Sequence, residues 1–310
     1  LMTSNLLKDS ERQSVGDTLR KLVKRLGEPV VRTVAGQAMK EMGRQFVLGR
    51  TIEEAQDRGK SQEERGYTYS YDMLGEAART DADAQRYYQA YSDAIDSISK
   101  RCKGDVRTNP GISVKLSALL ARYEYGHKER VMNELMPRAL KLARKAAAAN
   151  MGFNIDAEEQ DRLDLSLDVI EAILSDPELK DWQGFGVVVQ AFGKRASQTL
   201  DWLYALSEKL DRRIMVRLVK GAYWDAEIKR AQVMGLSDFP VFTRKACSDV
   251  AYLAGARKLL GMTDRIYPQF ATHNAHSVSA VLELAKDLSR DKFEFQRLHG
   301  MGESLHDQVL

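Results

Sequence analysis

The stretch "RIMVRLVKGAYWDAEIKRA", residues 213 to 231, contains one complete strand, turn and helix. Its first part, Ile214 to Val219, is a run of large apolar residues that a single cation, Arg217, interrupts. An apolar run without polar alternation predicts a strand buried on both faces, as in parallel sheets. Gly221 then permits a turn, and the spacing that follows predicts a helix. A strand of this kind does not hold Arg217 and Lys220 without a reason.

The same unit recurs along the chain. Three sets of apolar residues at helical spacing lie between the runs: Leu163, Leu167, Ile170 and Leu174; Leu200, Leu203, Leu206 and Leu210; Val278, Val281, Ala285 and Leu288. Alternating strands and helices predict a parallel sheet. Six further apolar runs bring the number of predicted strands to seven: "YTYSYDML" (67–74), "GISVKLSA" (111–118), "GFNIDAEE" (152–159), "FGVVVQAF" (185–192), "RIYPQFATHN" (265–274) and "KFEFQRLHG" (292–300).

Two parallel architectures compete for this pattern, a doubly wound open sheet and a (β/α)₈ barrel. An open sheet normally carries a Gly-rich phosphate-binding turn after its first strand, and "GMGE" at 300–303 is a weak match to one. Polar residues instead follow strand after strand, where a barrel keeps its active site. We therefore predict an α/β fold of the TIM-barrel type. The polar residues are Lys115, Asp156, Glu158, Gln190, Arg217, Lys220, Thr272 to Asn274, Gln296 and His299.

Composition narrows the class of protein. The 310 residues include 47 basic and 44 acidic side chains, for a net charge of +3, which gives no reason to expect nucleic acid or an acidic membrane as the main partner. The two cysteines, Cys102 and Cys247, lie far apart without metal-ligand spacing, which is typical of a reducing compartment. With no long apolar run and no signal-peptide pattern, the chain is predicted to be cytoplasmic.

The first 66 residues differ from the rest. An apolar stripe of Leu19, Leu22, Val23 and Leu26 ends at Gly27-Glu28-Pro29, and a second helical stretch runs from Met39 to Phe46. We predict a helical arm over residues 1–66 and a barrel over residues 67–310.

Strand parity separates the two cations of the opening stretch. Arg217 and Lys220 face opposite sides of a regular strand, and we expect Arg217 to point into the barrel. Gly221 is expected to let the backbone turn and release Lys220 toward the barrel mouth. A structural salt bridge between Arg217 and Asp156 is the alternative. Because burying such a pair gives little net stability, a functional role is favoured.

Other candidate residues leave several chemistries open. Lys115, near the end of an apolar run, could bind a carboxylate or form a Schiff base with a carbonyl. His273 and His276 lack a matching ligand set, so no metal site is predicted. Tyr223 and Trp224 follow Gly221 and would suit a planar ligand, although core packing also explains aromatic residues.

Seven longer motifs carry a resemblance to a known family. Together and in this order they closely resemble the proline dehydrogenase domain of bacterial proline utilization A, over nearly the whole chain. The motifs are "YDMLGEAA" (71–78), "GISVKLSAL" (111–119), "NIDAEE" (154–159), "VVVQAFGKR" (187–195), "VRLVKGAYWDAEIKRAQ" (216–232), "YPQFATHNAH" (267–276) and "FEFQRLHGMGE" (293–303).

The resemblance implies a flavoenzyme with a distorted (β/α)₈ barrel. It would oxidise L-proline to Δ1-pyrroline-5-carboxylate by hydride transfer from proline C5 to N5 of FAD, and pass the electrons to a membrane quinone. The resemblance therefore implies a cytoplasmic protein with peripheral association at the inner face of the plasma membrane. Self-association into a homo-oligomer is compatible with it.

The resemblance also implies roles for individual residues. Arg217 would lie near flavin N5, where a fixed cation stabilises negative charge. Lys115 would meet the proline carboxylate, and Asp156 would hold both cations in position. The remaining cofactor-binding residues it implies are Gln190, Lys220, Gly221, Ala222, Trp224, Thr243, Lys245, Thr272, His273 and Asn274.

The chain departs from the family pattern at its end. The family places an eighth strand, and a helix with two carboxylate-binding arginines, after "FEFQRLHGMGE", and the sequence stops before them. We therefore expect an incomplete carboxylate clamp and weak proline binding. DNA binding and a second, aldehyde dehydrogenase activity are expected to belong to modules outside this chain. Two alternatives stay open: a Schiff-base barrel lyase that uses Lys115 or Lys220, and an inactive scaffold.

Overall fold

The computed structural model describes residues 28 to 310, apart from the side chains of residues 28–31, 41 and 42. The predicted stripe from Leu19 to Leu26 lies outside the described residues. The predicted stretch from Met39 to Phe46 forms the end of the first described helix, α1 (Glu28–Phe46), with Pro29 in its first turn. Proline suits a first turn because the backbone N–H that it lacks would have no intrahelical partner there.

Within residues 28–310, seven parallel strands form one sheet whose spatial order is the order of the chain. This confirms the seven predicted strands and the TIM-like fold class. The strands are β1 (Ser70–Asp72), β2 (Gly111–Val114), β3 (Phe153–Ile155), β4 (Phe185–Gln190), β5 (Ile214–Val219), β6 (Ile266–Ala271) and β7 (Glu294–Gln296).

Helices cover the outer face of the sheet. The three predicted apolar stripes lie on α5 (Leu163–Leu174), α6 (Ala196–Lys209) and α9 (Ala275–Leu284), except that Leu210 and Ala285 are the C-cap residues of α6 and α9 and Leu288 lies beyond α9. A capping box between Thr80 and Asp83 begins the first helix after β1. A π-helical turn, Val131–Leu135, leads into α4. The helices after α1 are α2 (Ile52–Glu63), α3 (Asp81–Ser99), α4 (Met136–Ala148), α5 (Leu163–Leu174), α6 (Ala196–Lys209), α7 (Trp224–Val233), α8 (Lys245–Leu260), α9 (Ala275–Leu284) and α10 (Glu303–His306).

The sheet curls until distant strands meet. Arg217 on β5 donates hydrogen bonds to Ser113 on β2 and to Ser70 on β1, which a flat sheet would not allow. Near the two edges of the sheet, Tyr67 before β1 donates to Asp307 after α10, with 2.8 Å between the oxygens. Arg297, after β7, lies 4.8 Å from the ring centre of Tyr67. The described residues therefore enclose a barrel-like interior.

The two faces of the strands differ in chemistry. Outward residues such as Val114, Val216, Leu218 and Phe270 are fully buried against the helices, and each such side chain contributes about 1.5–3 kcal/mol. The inward face is polar, which is unusual for a barrel core and points to a site. Its residues, from β1 to β7, are Ser70, Asp72, Gly111, Ser113, Asn154, Gly186, Val188, Gln190, Met215, Arg217, Val219, Tyr267, Gln269, Ala271, Glu294 and Gln296.

Gly186 tests this packing. A Cβ atom there would lie 1.9 Å from Oδ1 of Asn154, a side chain that is only 2% exposed. We expect Gly186→Ala to lower the free energy of unfolding by about 1–3 kcal/mol, because the interior must shift to admit one methyl group. Urea unfolding measures the change.

Gly126→Ala is the matched control, because a Cβ atom at Gly126 meets nothing within 4 Å. This variant should unfold at the wild-type urea midpoint. Equal midpoints for the wild type and the Gly186 variant would contradict the packing described for β3 and β4.

Candidate functional site

Arg217 links four strands. Its Nη1 donates to Ser113 Oγ at 2.9 Å and its Nη2 donates to Ser70 Oγ at 3.0 Å. Nη1 also lies 3.6 Å from Asp156 Oδ1, and the side chain is 13% exposed. The guanidinium therefore points into the barrel, as strand parity predicts, and contacts residues on β1 and β2 and the residue that follows β3.

Lys115 lies between two carboxylates. Its Nζ is 2.8 Å from Asp156 Oδ2 and 3.3 Å from both oxygens of Asp72. Burial acts to lower the pKa of Lys115, but the charges of Asp156 and Asp72 outweigh it and raise that pKa above its ordinary value. The ammonium therefore stays charged at neutral pH. A Schiff-base lysine needs a neutral amine, so this environment opposes the lyase hypothesis for Lys115.

Asp156 connects the two cations. One of its oxygens contacts Lys115 and the other faces Arg217, and its side chain is 15% exposed. The predicted salt bridge to Arg217 is present, but at 3.6 Å it is longer than the bonds from Arg217 to the serines. The three side chains form one network. The same contacts would serve a structural salt bridge between Arg217 and Asp156 and a functional role for Arg217.

Lys220 does not reach the barrel mouth. Its Nζ contacts Asp249 Oδ1 at 2.5 Å and lies 5.8 Å from the ring centre of Tyr252, and both partners are on α8. The side chain follows its strand parity and points outward, which corrects the expectation that Gly221 would release it toward the mouth. Gly221 itself has φ of 137°, and a Cβ atom there would lie 2.5 Å from the Phe192 ring. The turn after β5 therefore requires glycine.

Gln190 fastens the ends of three strands together. Its Oε1 accepts from the backbone N–H of Ala222 at 3.0 Å, and its Nε2 donates to the backbone oxygen of Glu158 at 2.9 Å. Both halves of the amide are used. Gln190 therefore positions the loop after β5 relative to the loop after β3.

Two aromatic residues follow that loop. Trp224 donates from Nε1 to Phe242 O at 2.8 Å and remains 39% exposed, so part of its indole ring is accessible. Tyr223 donates to Glu76 Oε2 at 3.0 Å, and Glu76 belongs to the loop after β1. This bond spans the mouth from β5 to β1. Burial and the nearby carboxylate of Glu76 raise the pKa of Tyr223.

The other predicted cofactor residues lie just after the carboxyl end of β6 and near the start of α8. Thr243 and Lys245 are exposed, with Lys245 paired to Asp249 at 2.6 Å. His273 accepts from the backbone N–H of Leu298 at 2.9 Å, and burial lowers its pKa, so it is neutral at pH 7. Thr272 is buried, and Asn274 caps α9 through Ser277.

Several site residues were not predicted from the sequence. Asp72 is the second partner of Lys115. Its place two residues after Ser70 indicates that both side chains face the barrel interior, and this spacing could have identified it. Glu76 pairs with Tyr223 through a loop that carries no pattern. Glu294 lies inside the barrel among Tyr267, Gln269 and Gln296, and its acidic character in "KFEFQ" was overlooked.

The donor set suits a planar, anionic cofactor. Nε of Arg217 is buried and has no hydrogen-bond partner among the described residues, so the guanidinium keeps a donor. Two further groups follow β5 in the chain: the indole of Trp224, which is partly accessible, and the cation of Lys245, which is 77% exposed. A ligand with a planar ring and anionic oxygens matches this combination of groups.

Two further findings bear on the class of protein. Residues 28 to 310 contain no grouping of three or more His, Cys, Asp or Glu side chains that could coordinate a metal. In that same range, no helix combines the length and apolarity needed to cross a membrane.

Asp156 provides a test of the network. We expect Asp156→Ala to lower the free energy of unfolding by about 3 kcal/mol, because it leaves two largely buried cations with fewer counter-charges. Urea unfolding at pH 7 measures this. Asp238→Ala, which removes a surface partner of Lys194, should leave the midpoint unchanged. Equal effects of the two substitutions would contradict the role given to Asp156.

Two family models match the chain. The model described as proline dehydrogenase matches residues 55–310. The model described as the DNA-binding domain of proline dehydrogenase matches residues 1–46. The second match corrects the expectation that any DNA-binding module lies wholly outside this chain.

Curated relatives agree with these models. The bifunctional protein PutA of Escherichia coli K12 is 50% identical over 311 residues, which cover 100% of this chain and 24% of the relative. PutA of Rhizobium meliloti is 50% identical over 312 residues, covering 25% of its length. The proline dehydrogenase of Deinococcus radiodurans is 27% identical over 94% of this chain and 84% of its own. The chain thus spans about a quarter of the length of the PutA relatives.

Solved structures match in fold as well. A crystal structure of a Bradyrhizobium japonicum PutA mutant has a TM-score of 0.83 and 58% identity, covering 93% of this chain and 29% of that one. PutA from Bdellovibrio bacteriovorus, inactivated by N-propargylglycine, has a TM-score of 0.86 and 28% identity, covering 96% and 32%.

Proposed function

Because the chain belongs to the proline dehydrogenase family, we propose that it forms the site that oxidises L-proline to Δ1-pyrroline-5-carboxylate. The observation that carries this proposal is the network of Lys115, Asp156 and Arg217 at the carboxyl ends of β2, β3 and β5. In a parallel barrel this is the end at which active sites are built.

The substrate carboxylate would bind Lys115. The ammonium is held charged by its two carboxylate neighbours, which is the state that attracts an anion. Its contact with Asp72, at 3.3 Å, is longer than its contact with Asp156, at 2.8 Å. We expect the incoming carboxylate to replace Asp72 as a partner of Lys115, while Asp156 keeps the ammonium in place.

FAD is the cofactor that the donor set fits best. When bound, it would supply the two-electron acceptor for the hydride that leaves proline C5. Arg217 would present a fixed positive charge to the flavin. Gln190, Gly221, Ala222 and Trp224 would border the ring.

The rest of the cofactor would lie along the start of α8 and the end of β6. The residues proposed there are Thr243, Lys245, Thr272, His273 and Asn274. Lys220 would act indirectly, because its bond to Asp249 fixes the first turns of α8, where Asp249 also holds Lys245. A neutral His273, fixed by Leu298, would offer a polar but uncharged surface.

The wider protein is also part of the proposal. We place a helical arm at residues 1–66 and the barrel at residues 67–310. By analogy with relatives that are named bifunctional, a second activity would belong to the longer protein. The final electron acceptor would be a quinone at the inner face of the plasma membrane, reached from the cytoplasm by peripheral contact. A homo-oligomer is compatible with this arrangement.

Lys115→Met tests the assignment of the substrate site. We expect it to lower kcat/KM for L-proline by about 10- to 150-fold, since one charge-assisted hydrogen bond contributes about 1.5–3 kcal/mol. The loss should lie mainly in KM, while the FAD content stays at the wild-type level. Proline-dependent reduction of an electron-accepting dye provides the measurement.

Lys258→Met is the control, because Lys258 pairs with Asp201 and Ser197 on the outer surface of the helices. It should keep the wild-type KM. An unchanged KM in the Lys115 variant would sink the proposed carboxylate site, and an equal loss of FAD would assign Lys115 to the cofactor.

A further inference from the structure

A row of three inward side chains crosses the last three strands, and two of its members, Gln269 and Glu294, have no part in the function proposed above. Arg217 on β5 is in register with Gln269 on β6, and Gln269 is in register with Glu294 on β7. All three face the barrel interior. Neighbouring strands lie about 4.8 Å apart, so consecutive members of this row are within reach of one another.

Glu294 is fixed by three donors. Its Oε1 accepts from Gln269 Nε2 at 2.9 Å and from Gln296 Nε2 at 2.6 Å, and its Oε2 accepts from Tyr267 Oη at 3.3 Å. None of these donors is charged. The carboxyl group therefore has a defined position without an ion-pair partner at contact distance among the described residues.

Gln269 separates Glu294 from Arg217 and leaves a complementary pair of atoms. Because its NH2 group donates to Glu294, its Oε1 turns away, and this buried oxygen has no hydrogen-bond partner among the described residues. The Nε–H of Arg217, one strand away, is a buried donor that also has no hydrogen-bond partner among the described residues. A small shift or one bridging water would join this donor to this acceptor.

We propose that Glu294 is a positioning residue for Arg217, acting through Gln269, and that its charge reduces the positive potential that Arg217 presents to the flavin. The flavin part rests on the proposed function. The positioning part concerns only side chains of this chain. Two carboxylates thus control Arg217: Asp156 from the side of β3 and Glu294 from the side of β7.

The protonation of Glu294 makes the coupling depend on pH. Desolvation inside the barrel raises the pKa of Glu294, while the hydrogen bonds of Gln296, Tyr267 and Gln269 and the charge of Arg217 oppose that rise. Tyr267, in turn, faces Arg107 and Asp291. A raised folded-state pKa means that the stabilising contribution of Glu294 is complete below its unfolded pKa of about 4.3 and is lost as pH rises through the folded value.

Glu294→Gln keeps the shape and removes the titration. Relative to wild type, this variant should therefore gain stability as pH rises from 4 to 8, as followed by urea unfolding of the flavin-free chain. Glu283→Gln, which removes an exposed carboxylate paired with Lys286, should show no such trend. A difference that does not change with pH would overturn the titration part of the proposal.

A double-mutant cycle tests the coupling without flavin. Arg217→Met and Glu294→Gln are combined, and the unfolding equilibrium constants are compared at pH 8. We expect the double variant to depart from the product of the single effects by roughly twofold to a hundredfold. The cycle of Arg217→Met with Glu283→Gln should give a factor of one. A factor of one for Glu294 would overturn the positioning role.

Arg217→Lys replaces Arg217→Met in the cycle if the methionine variant does not fold. Gln269→Leu tests whether the coupling passes through Gln269. In this background the coupling factor between Arg217 and Glu294 should move closer to one, and an unchanged factor would overturn the role of Gln269.

The midpoint potential of bound FAD gives a second readout. Glu294→Gln should make this potential more positive, because the reduced flavin is anionic and gains attraction to Arg217. If the midpoint potential does not change but the cycle shows coupling between Arg217 and Glu294, the effect of Glu294 on the potential of Arg217 is overturned. The positioning role of Glu294 is then supported. Coupling in a chain that binds no FAD would support the positioning role and overturn the proposed function instead.

Discussion

The site depends on one carboxylate that serves two cations. Asp156 ends β3 and contacts Lys115 from the neighbouring strand with one oxygen, while its other oxygen faces Arg217 from β5. Such a group is expensive to desolvate, and its attraction to one partner alone would give little net stability. Two cations on one anion change this balance. The curl of the sheet is part of the same arrangement, because Arg217 on β5 reaches Ser70 on β1, four strands away, only when the sheet is strongly curved.

The charges around this carboxylate explain what the site can and cannot do. Lys115 is held in its charged form, which suits the binding of an anion and opposes covalent chemistry at its nitrogen. Arg217 donates from its two terminal nitrogens to serine hydroxyls, and its Nε–H has no hydrogen-bond partner among the described residues. The arrangement therefore provides fixed positive charge, which the proposed function assigns to an anionic substrate and to the ring of a cofactor.

The sequence predicted the strands well because each run is apolar, short and followed by a helical pattern. Period-two alternation also decided the direction of Arg217, since its neighbours Val216 and Leu218 are required in the outer core. Lys220 also follows this alternation. The expectation that Gly221 would release it toward the barrel mouth was wrong, because the carboxylate that binds this lysine, Asp249, lies on a helix 29 positions later.

Other parts of the site were out of reach for a related reason. Asp72 and Glu294 matter through partners on other strands, and such pairs appear only once the register of the closed sheet is known. Asn274 was assigned to the cofactor from resemblance, and its side chain also caps α9. The spacing of residues 1–66 predicts only a helical arm, whereas the family model described as the DNA-binding domain of proline dehydrogenase matches residues 1–46.

The visible spectrum of the purified chain with FAD, recorded without oxygen before and after L-proline is added, tests the proposed site most directly. A bound-flavin spectrum that bleaches with L-proline, and stays oxidised with a proline analogue that lacks the carboxylate, is the predicted result. A bound flavin that bleaches equally with both compounds would contradict the role of Lys115. A flavin that binds but stays oxidised with L-proline would contradict the proposed oxidation itself.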